Sequence, residues 1–189
     1  MTGTPLTLAI ETATPYLALG LLGSAGSWHE TRQVGRAHAE QLPEALGALL
    51  AASGVSKHDI ASIIIGTGPG SYTGVRVGAS FALGLGRAWG VSVRGVPTLE
   101  ALIDAQHEGL QAVTLDARKE QLYGAVYRVA SGAVAEIVTA PGKFAQTDFA
   151  AHLTEFPGIL QRPDAVPDAL ALARAGQAHG AADWTLAYL

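Results

Sequence analysis

The chain has 189 residues, 49% of them hydrophobic and 15% charged, with a formal net charge of −4. That composition excludes a disordered chain and any broad electrostatic attraction for nucleic acid, and the absence of cysteine excludes disulfide and thiolate chemistry. Residues 1–5 read as neither a signal peptide nor a membrane span, and Arg87 with several glycines interrupts the apolar stretch 77–93, so a cytoplasmic protein without membrane contact is expected.

In chain order, Leu6 to Ile10 reads as a short buried strand ending in Glu11, and Thr12 to Pro15 as a turn. Tyr16 to Leu22 returns, and Gly23 to Gly26 turns into Ser27 to Val34, giving a three-stranded meander. A carboxylate at the end of a first strand, beside the hydroxyls of Thr12 and Thr14, can orient a metal-bound phosphate; it can equally be a strand-end acid among ordinary turn residues. His38 to Ala52 predicts a helix with Leu42, Leu46, Leu49 and Leu50 on its apolar face and Gly54 as its stop. His38 lacks a second histidine four residues on, so the segment does not read as a zinc-protease helix, and no metal ligands are predicted.

Ile63-Ile64-Ile65 reads as a buried strand, Gly66 to Gly70 as a loop and Ser71 or Thr73 as the cap of the next helix. Gly70 and Ser71 are therefore candidate anion-binding residues at a helix start. In that helix Gly74, Gly78, Ala82 and Gly86 recur every four residues and line one face with almost no side chains. Each helical glycine costs about 1 kcal/mol relative to alanine. Close approach of another backbone offsets that cost, either from the protein's own sheet or from another chain, and the second is the favoured expectation. The predicted docking face comprises Tyr72, Thr73, Gly74, Arg76, Val77, Gly78, Phe81, Ala82 and Leu85, with His38, Leu42 and Leu46 of the preceding helix.

Val91 to Val96 predicts a strand, and Pro97 or Thr98 opens a helix of about ten residues. At Ala112 the pattern restarts: a strand ends in Asp116, Leu122 to Tyr127 runs back, and Ala133 to Thr139 follows a Ser131-Gly132 turn. Asp116 thus stands where Glu11 stands in the first half. Helices are expected over Thr147 to Leu153 and Pro167 to Ala175, a short strand at Gly158 to Leu160, and an extended closing segment from Trp184 to Leu189. The fold class is α/β, with two tandem lobes, 1–108 and a smaller 109–189, each a mixed sheet flanked by helices. That duplication is analogous to the phosphate cleft of actin, hexokinase and the sugar kinases, which carries no activity by itself.

The segments Leu8 to Thr14, His38 to Pro43, Gly68 to Gly78, Val96 to Leu102 and Asp116 to Tyr123 together resemble the bacterial TsaB (YeaZ) family, related to TsaD. The long glycine motif is highly specific and the others would be weak alone. The likeness covers roughly residues 6–128, is faint beyond, and the closing Leu186-Ala187-Tyr188-Leu189 only approximates the family's C-terminal pattern. The resemblance implies an actin-like (ASKHA) fold with a shortened second lobe. It also implies a non-catalytic, required partner of a TsaD-like transferase that forms N6-threonylcarbamoyladenosine at position 37 of tRNA.

The same resemblance implies a TsaE-like ATPase completing the assembly, a homodimer through the docking face when the catalyst is absent, and tRNA reached indirectly. No tightly bound cofactor is expected, with ATP or ADP weak or at the partner interface. The alternative is a nucleotide-dependent phosphotransferase using Glu11 and Asp116 around magnesium, with Thr12, Thr14 and the loop from Gly68 to Ser71 on the phosphates. A metal-dependent peptidase is a third, weaker reading. On the docking reading, Gly78→Leu should prevent partner binding and leave the monomer folded.

Overall fold

In the computed structural model, which describes residues 5–187, the strands β1 (Leu6–Glu11), β2 (Tyr16–Gly23) and β3 (Gly26–Gln33) form the predicted meander. Helix α1 (His38–Ser53) follows, then β4 (Ile60–Gly66), α2 (Tyr72–Trp89) and β5 (Ser92–Val96). The second half comprises β6 (Gly109–Arg118), β7 (Gln121–Ala130), β8 (Ala133–Ala145), α3 (Gln146–Leu153), β9 (Leu160–Pro163) and α4 (Ala169–His179). The first sheet has the order β3-β2-β1-β4-β5 and the second β8-β7-β6-β9. Each joins an antiparallel meander to a parallel strand, β4 beside β1 and β9 beside β6. This is the two-lobe arrangement of actin-like folds, and among the described residues the second sheet has no counterpart of β5.

Side-chain alternation along the strands builds a separate core on each face of the first sheet. Leu8, Ile10, Ile63 and Ile65 point toward α1 and α2, while Ala9 and Ile64 point toward α4, so the isoleucine triplet is divided between two cores. Helix α4 is shared: Ala169, Leu172, Ala173 and Ala175 pack on the first sheet, and Ala171 joins the core of the second. The strands pass to the second sheet at Gly109, whereas α4 crosses back to cover the first. The outer face of the second sheet packs Ala112 and Val126 against Phe149 of α3.

Several local expectations change, and the strand expected at Gly158 to Leu160 forms instead over Leu160–Pro163. The helix expected after Pro97 is only a 3-10 turn, Thr98–Leu102, because Ile103 is extended. Strand β8 runs to Ala145, past Pro141 and Gly142, through several register irregularities. Helix α3 starts at Gln146, with Ala145 in the capping position, rather than at Thr147.

The segment after α4 lies along the outer edge of β5. Gly95 and Ala181 exchange backbone hydrogen bonds of 2.9 and 3.0 Å, Trp184 Nε1 donates to the Val93 carbonyl at 3.2 Å, and Ala187 N–H donates to the Thr67 carbonyl at 2.8 Å. Tyr188 and Leu189, in the expected closing segment, lie outside the described residues. No helix among the described residues is long and apolar enough to cross a membrane.

Candidate functional site

The loop between β4 and α2 is tied to its neighbours on every side. Thr67 N–H donates to the Val96 carbonyl at 2.9 Å, Gly68 N–H to Thr98 Oγ1 at 3.0 Å, and Ser71 N–H to the Ala13 carbonyl at 2.7 Å. Ser71 then caps α2, its hydroxyl accepting from Gly74 N–H at 3.2 Å. A Cβ on Gly70 would collide with the Ala13 carbonyl, which is why the loop can lie against the turn after β1.

Glu11 faces inward and is fully buried. Its Oε1 accepts from Ala13 N–H at 2.5 Å and its Oε2 from the Thr98 hydroxyl at 2.9 Å. Burial pushes its pKa from 4.5 up to about 7, opposed by hydrogen bonds from Ala13, Thr98 and Thr12. Gly66 makes room for this carboxylate, since a Cβ there would overlap Glu11 Oε2. Thr12 is also buried and donates to the Gly74 carbonyl at 2.8 Å, and the Thr14 hydroxyl accepts from Tyr16 N–H at 3.2 Å. Thr12 thus holds the turn after β1 to α2, Glu11 holds it to the turn at Thr98, and Thr14 ties it to the start of β2. Asp116, their expected counterpart, is exposed instead: its carboxylate accepts from Arg118 N–H at 2.8 Å, and it lines a separate cavity of about 280 Å³ beside Phe149.

The small-residue strip of α2 packs on the protein's own sheet. Gly74, Gly78, Ala82 and Gly86 are all buried. A Cβ on Gly74 would strike the Thr12 carbonyl, one on Gly78 the Thr12 hydroxyl, and one on Gly86 would lie 2.7 Å from Val93 and 3.0 Å from the Val91 carbonyl. This corrects the expectation that the strip meets another chain: the glycines are offset by close approach to the turn after β1 and to the start of β5. His38, Leu42 and Leu46 are buried as well, with His38 Nε2–H donating to the Tyr16 carbonyl at 3.1 Å. Leu42 and Leu46, packed inward, present no side chain to a partner, and a leucine at Gly78 would collide with Thr12.

Tyr72, Thr73 and Arg76 remain outward, with Val77, Phe81 and Leu85 half-buried. Periodicity had passed over Leu83, which is 51% exposed, and Gly84, which has open space where a Cβ would stand. Gly84 has no internal packing reason to lack a side chain. Its spacing with Ser80 and Ala88, both exposed, was the signal available in the sequence.

Above the start of α2 the structure opens a cleft of about 430 Å³, lined by Arg36, His38, Ser71, Tyr72, Thr73 and Arg118. Gly70 lies in the loop just before it, while Glu11, Thr12, Thr14 and Asp116 do not line it. Arg36 comes from the connection before α1 and Arg118 from the β6–β7 hairpin of the other sheet. Sequence reasoning missed both. Their signals were a cation just before a helix N-terminus, where the helix dipole disfavours it, and the adjacent cations Arg118-Lys119 in a tight hairpin. The Arg76 guanidinium lies 4.0 Å over the Tyr72 ring at the mouth.

The sequence model of one family, "TsaD: tRNA N6-adenosine threonylcarbamoyltransferase", matches residues 31–164. An uncharacterized protein of Mycobacterium tuberculosis is 37% identical over 127 residues, covering 64% of this chain and 58% of that protein. The tRNA threonylcarbamoyladenosine biosynthesis protein TsaB of Bacillus subtilis is 31% identical over 134 residues, covering 69% of this chain and 58% of that protein. The chain thus spans little more than half the length of the curated relatives that it matches. Among solved structures, YeaZ from Pseudomonas aeruginosa superposes with a TM-score of 0.80 at 21% identity, over 98% of this chain and 100% of that one, a likeness of fold. With its family match extending over most of its length, the chain belongs to the TsaD family, in its TsaB (YeaZ) group.

Proposed function

We propose that this chain is a non-catalytic partner of a TsaD-type transferase in forming N6-threonylcarbamoyladenosine at position 37 of tRNA, and that it docks through the outward face of α2. Family membership supports the pathway. The single observation that carries the docking face is the uncovered pair Leu83 and Gly84: an exposed apolar side chain beside a helical glycine with no internal role. A helical glycine without compensation costs about 1 kcal/mol, and close approach of a partner backbone supplies the compensation. The exposed Ser80 and Ala88 and the half-buried Phe81 extend the same surface along α2.

In this reading a TsaE-like ATPase joins through the complex, and a homodimer forms through the same face when the catalyst is absent. The assembly is cytoplasmic, and ATP or ADP binds weakly or at the boundary between subunits. The phosphotransferase alternative fits less well, because Glu11, Thr12 and Thr14 are turned inward and hold the fold.

Leu83→Glu tests the docking face. The variant should melt with the parent protein but fail to co-purify with the TsaD-type subunit and lower threonylcarbamoyladenosine in a strain that depends on it. Full binding by the folded variant would refute the α2 face.

A further inference from the structure

We infer that the cleft between Arg36, Tyr72 and Arg118 receives unpaired nucleotides of the tRNA anticodon loop, so that this chain touches the RNA directly; the inference rests on the function proposed above. Two of the chain's 12 Lys and Arg residues, Arg36 and Arg118, line the cleft, and a third, Arg76, stands over its Tyr72, in a chain of net charge −4. Such a concentration against the overall sign marks an anionic partner. Arg32, Arg128 and Arg162 each lie within 4.0 Å of a carboxylate, whereas Arg36 and Arg118 form no ion pair among the described residues. Of the acids in the same hairpin, Asp116 directs an oxygen onto the Arg118 backbone N–H, and Glu120 forms no ion pair with Arg118.

Two features favour unpaired RNA over a lone phosphate group. Tyr72 is 53% exposed and stacked with the Arg76 guanidinium, the kind of platform on which a splayed base adds a further layer. Beyond the lining, Arg76 stands over Tyr72 and the exposed Lys119 follows Arg118 in the chain, so further cations are available to a backbone with successive phosphates. A volume of about 430 Å³ suits one splayed nucleotide, and a duplex could not enter it. The walls come from different sheets, Arg36 beside α1 and Arg118 on the β6–β7 hairpin, so the cleft can grip a strand from two sides.

The test is fluorescence anisotropy with a labelled anticodon stem-loop RNA, titrated with the full chain alone and with its complex with the TsaD-type subunit, over a range of salt. The double variant Arg36→Ala/Arg118→Ala should lose about tenfold in affinity and flatten the log–log salt slope by about 1.4, roughly 0.7 for each lost phosphate contact. Tyr72→Ala should weaken binding of the stem-loop without changing that slope. A fully paired RNA of equal length should compete poorly. Unchanged affinity and slope in the double variant would overturn the inference. So would protection of Arg118 from phenylglyoxal by ATP but not by the stem-loop, which would assign the cleft to a free nucleotide. Loss of the TsaD-type subunit by the double variant would assign the arginines to the protein interface and likewise overturn it. If the parent chain forms no complex, the proposed function fails, while titration of the chain alone still reads the cleft.

Discussion

The Thr98 hydroxyl donates to Glu11 Oε2 at 2.9 Å and accepts from Gly68 N–H at 3.0 Å, so a buried carboxyl group anchors both the end of β1 and the loop before α2. The Glu11 pKa of about 7 in the folded chain, against 4.5 ordinarily, means that folding favours the protonated acid. Its contribution is fully present below about pH 4.5 and is lost as pH rises through about 7, on the order of 3 kcal/mol in all. Urea unfolding at pH 5 and pH 8 should show that loss, and Glu11→Gln should flatten it. A pH slope unaltered by Glu11→Gln would show that the carboxyl group is not its source.

The two sides of α2 should answer oppositely to the same substitution. Gly74→Ala drives a Cβ into the Thr12 carbonyl, a backbone atom that cannot swing away, and should cost about 2 kcal/mol. Gly84→Ala meets open space and should stabilise the isolated chain by about 1 kcal/mol through helix propensity. Chemical denaturation of both variants decides the matter, and effects of equal sign would mean that the helix is turned otherwise.

Tyr127 is buried among the residues of the second sheet's inner core, and its hydroxyl has no hydrogen-bond partner among the described residues. Burial and the nearby Glu100 carboxylate push its pKa well above the ordinary value. Tyr127→Phe removes the stranded hydroxyl and should raise stability by about 1 kcal/mol in urea melts. A loss of similar size would reveal a bound water serving the hydroxyl.

Arg118, Lys119 and Glu120 all have positive φ, at 63°, 53° and 57°. L-residues other than glycine and asparagine adopt that conformation at a cost of about 1 kcal/mol each. Replacing the turn pair by Asn-Gly, as Lys119→Asn with Glu120→Gly, should raise the melting temperature and add about 1 kcal/mol. No gain would show that contacts of the native side chains offset the strain.

Much of the architecture was legible because it follows from periodicity and turn residues. The meander before α1, the strand at Ile63 and the capped helix after Ser71 all announce themselves locally. The strip at Gly74, Gly78, Ala82 and Gly86 was legible as a face but not as a direction, because spacing tells which residues align and not which backbone approaches them. For Gly74 that backbone is Thr12, more than sixty residues earlier in the chain, and for Gly86 it is Val91. The same limit applies to Glu11 and Asp116, which occupy matching places in the two halves although one is sealed in the interior and the other exposed. The cleft was least visible, since Arg36 and Arg118 meet only when the second sheet's hairpin comes to the start of α2.

The segment along β5 also restricts how the molecule associates. With Gly95 paired to Ala181 in both directions, that margin of the first sheet is already occupied, and the opposite margin, β3, carries His29, Glu30 and Arg32 among its side chains. An extended chain from elsewhere therefore finds no bare ladder on β5 to prolong, which guards against strand-by-strand stacking of copies. At this margin recognition cannot use backbone pairing, which accepts many extended sequences, and must use side-chain shape.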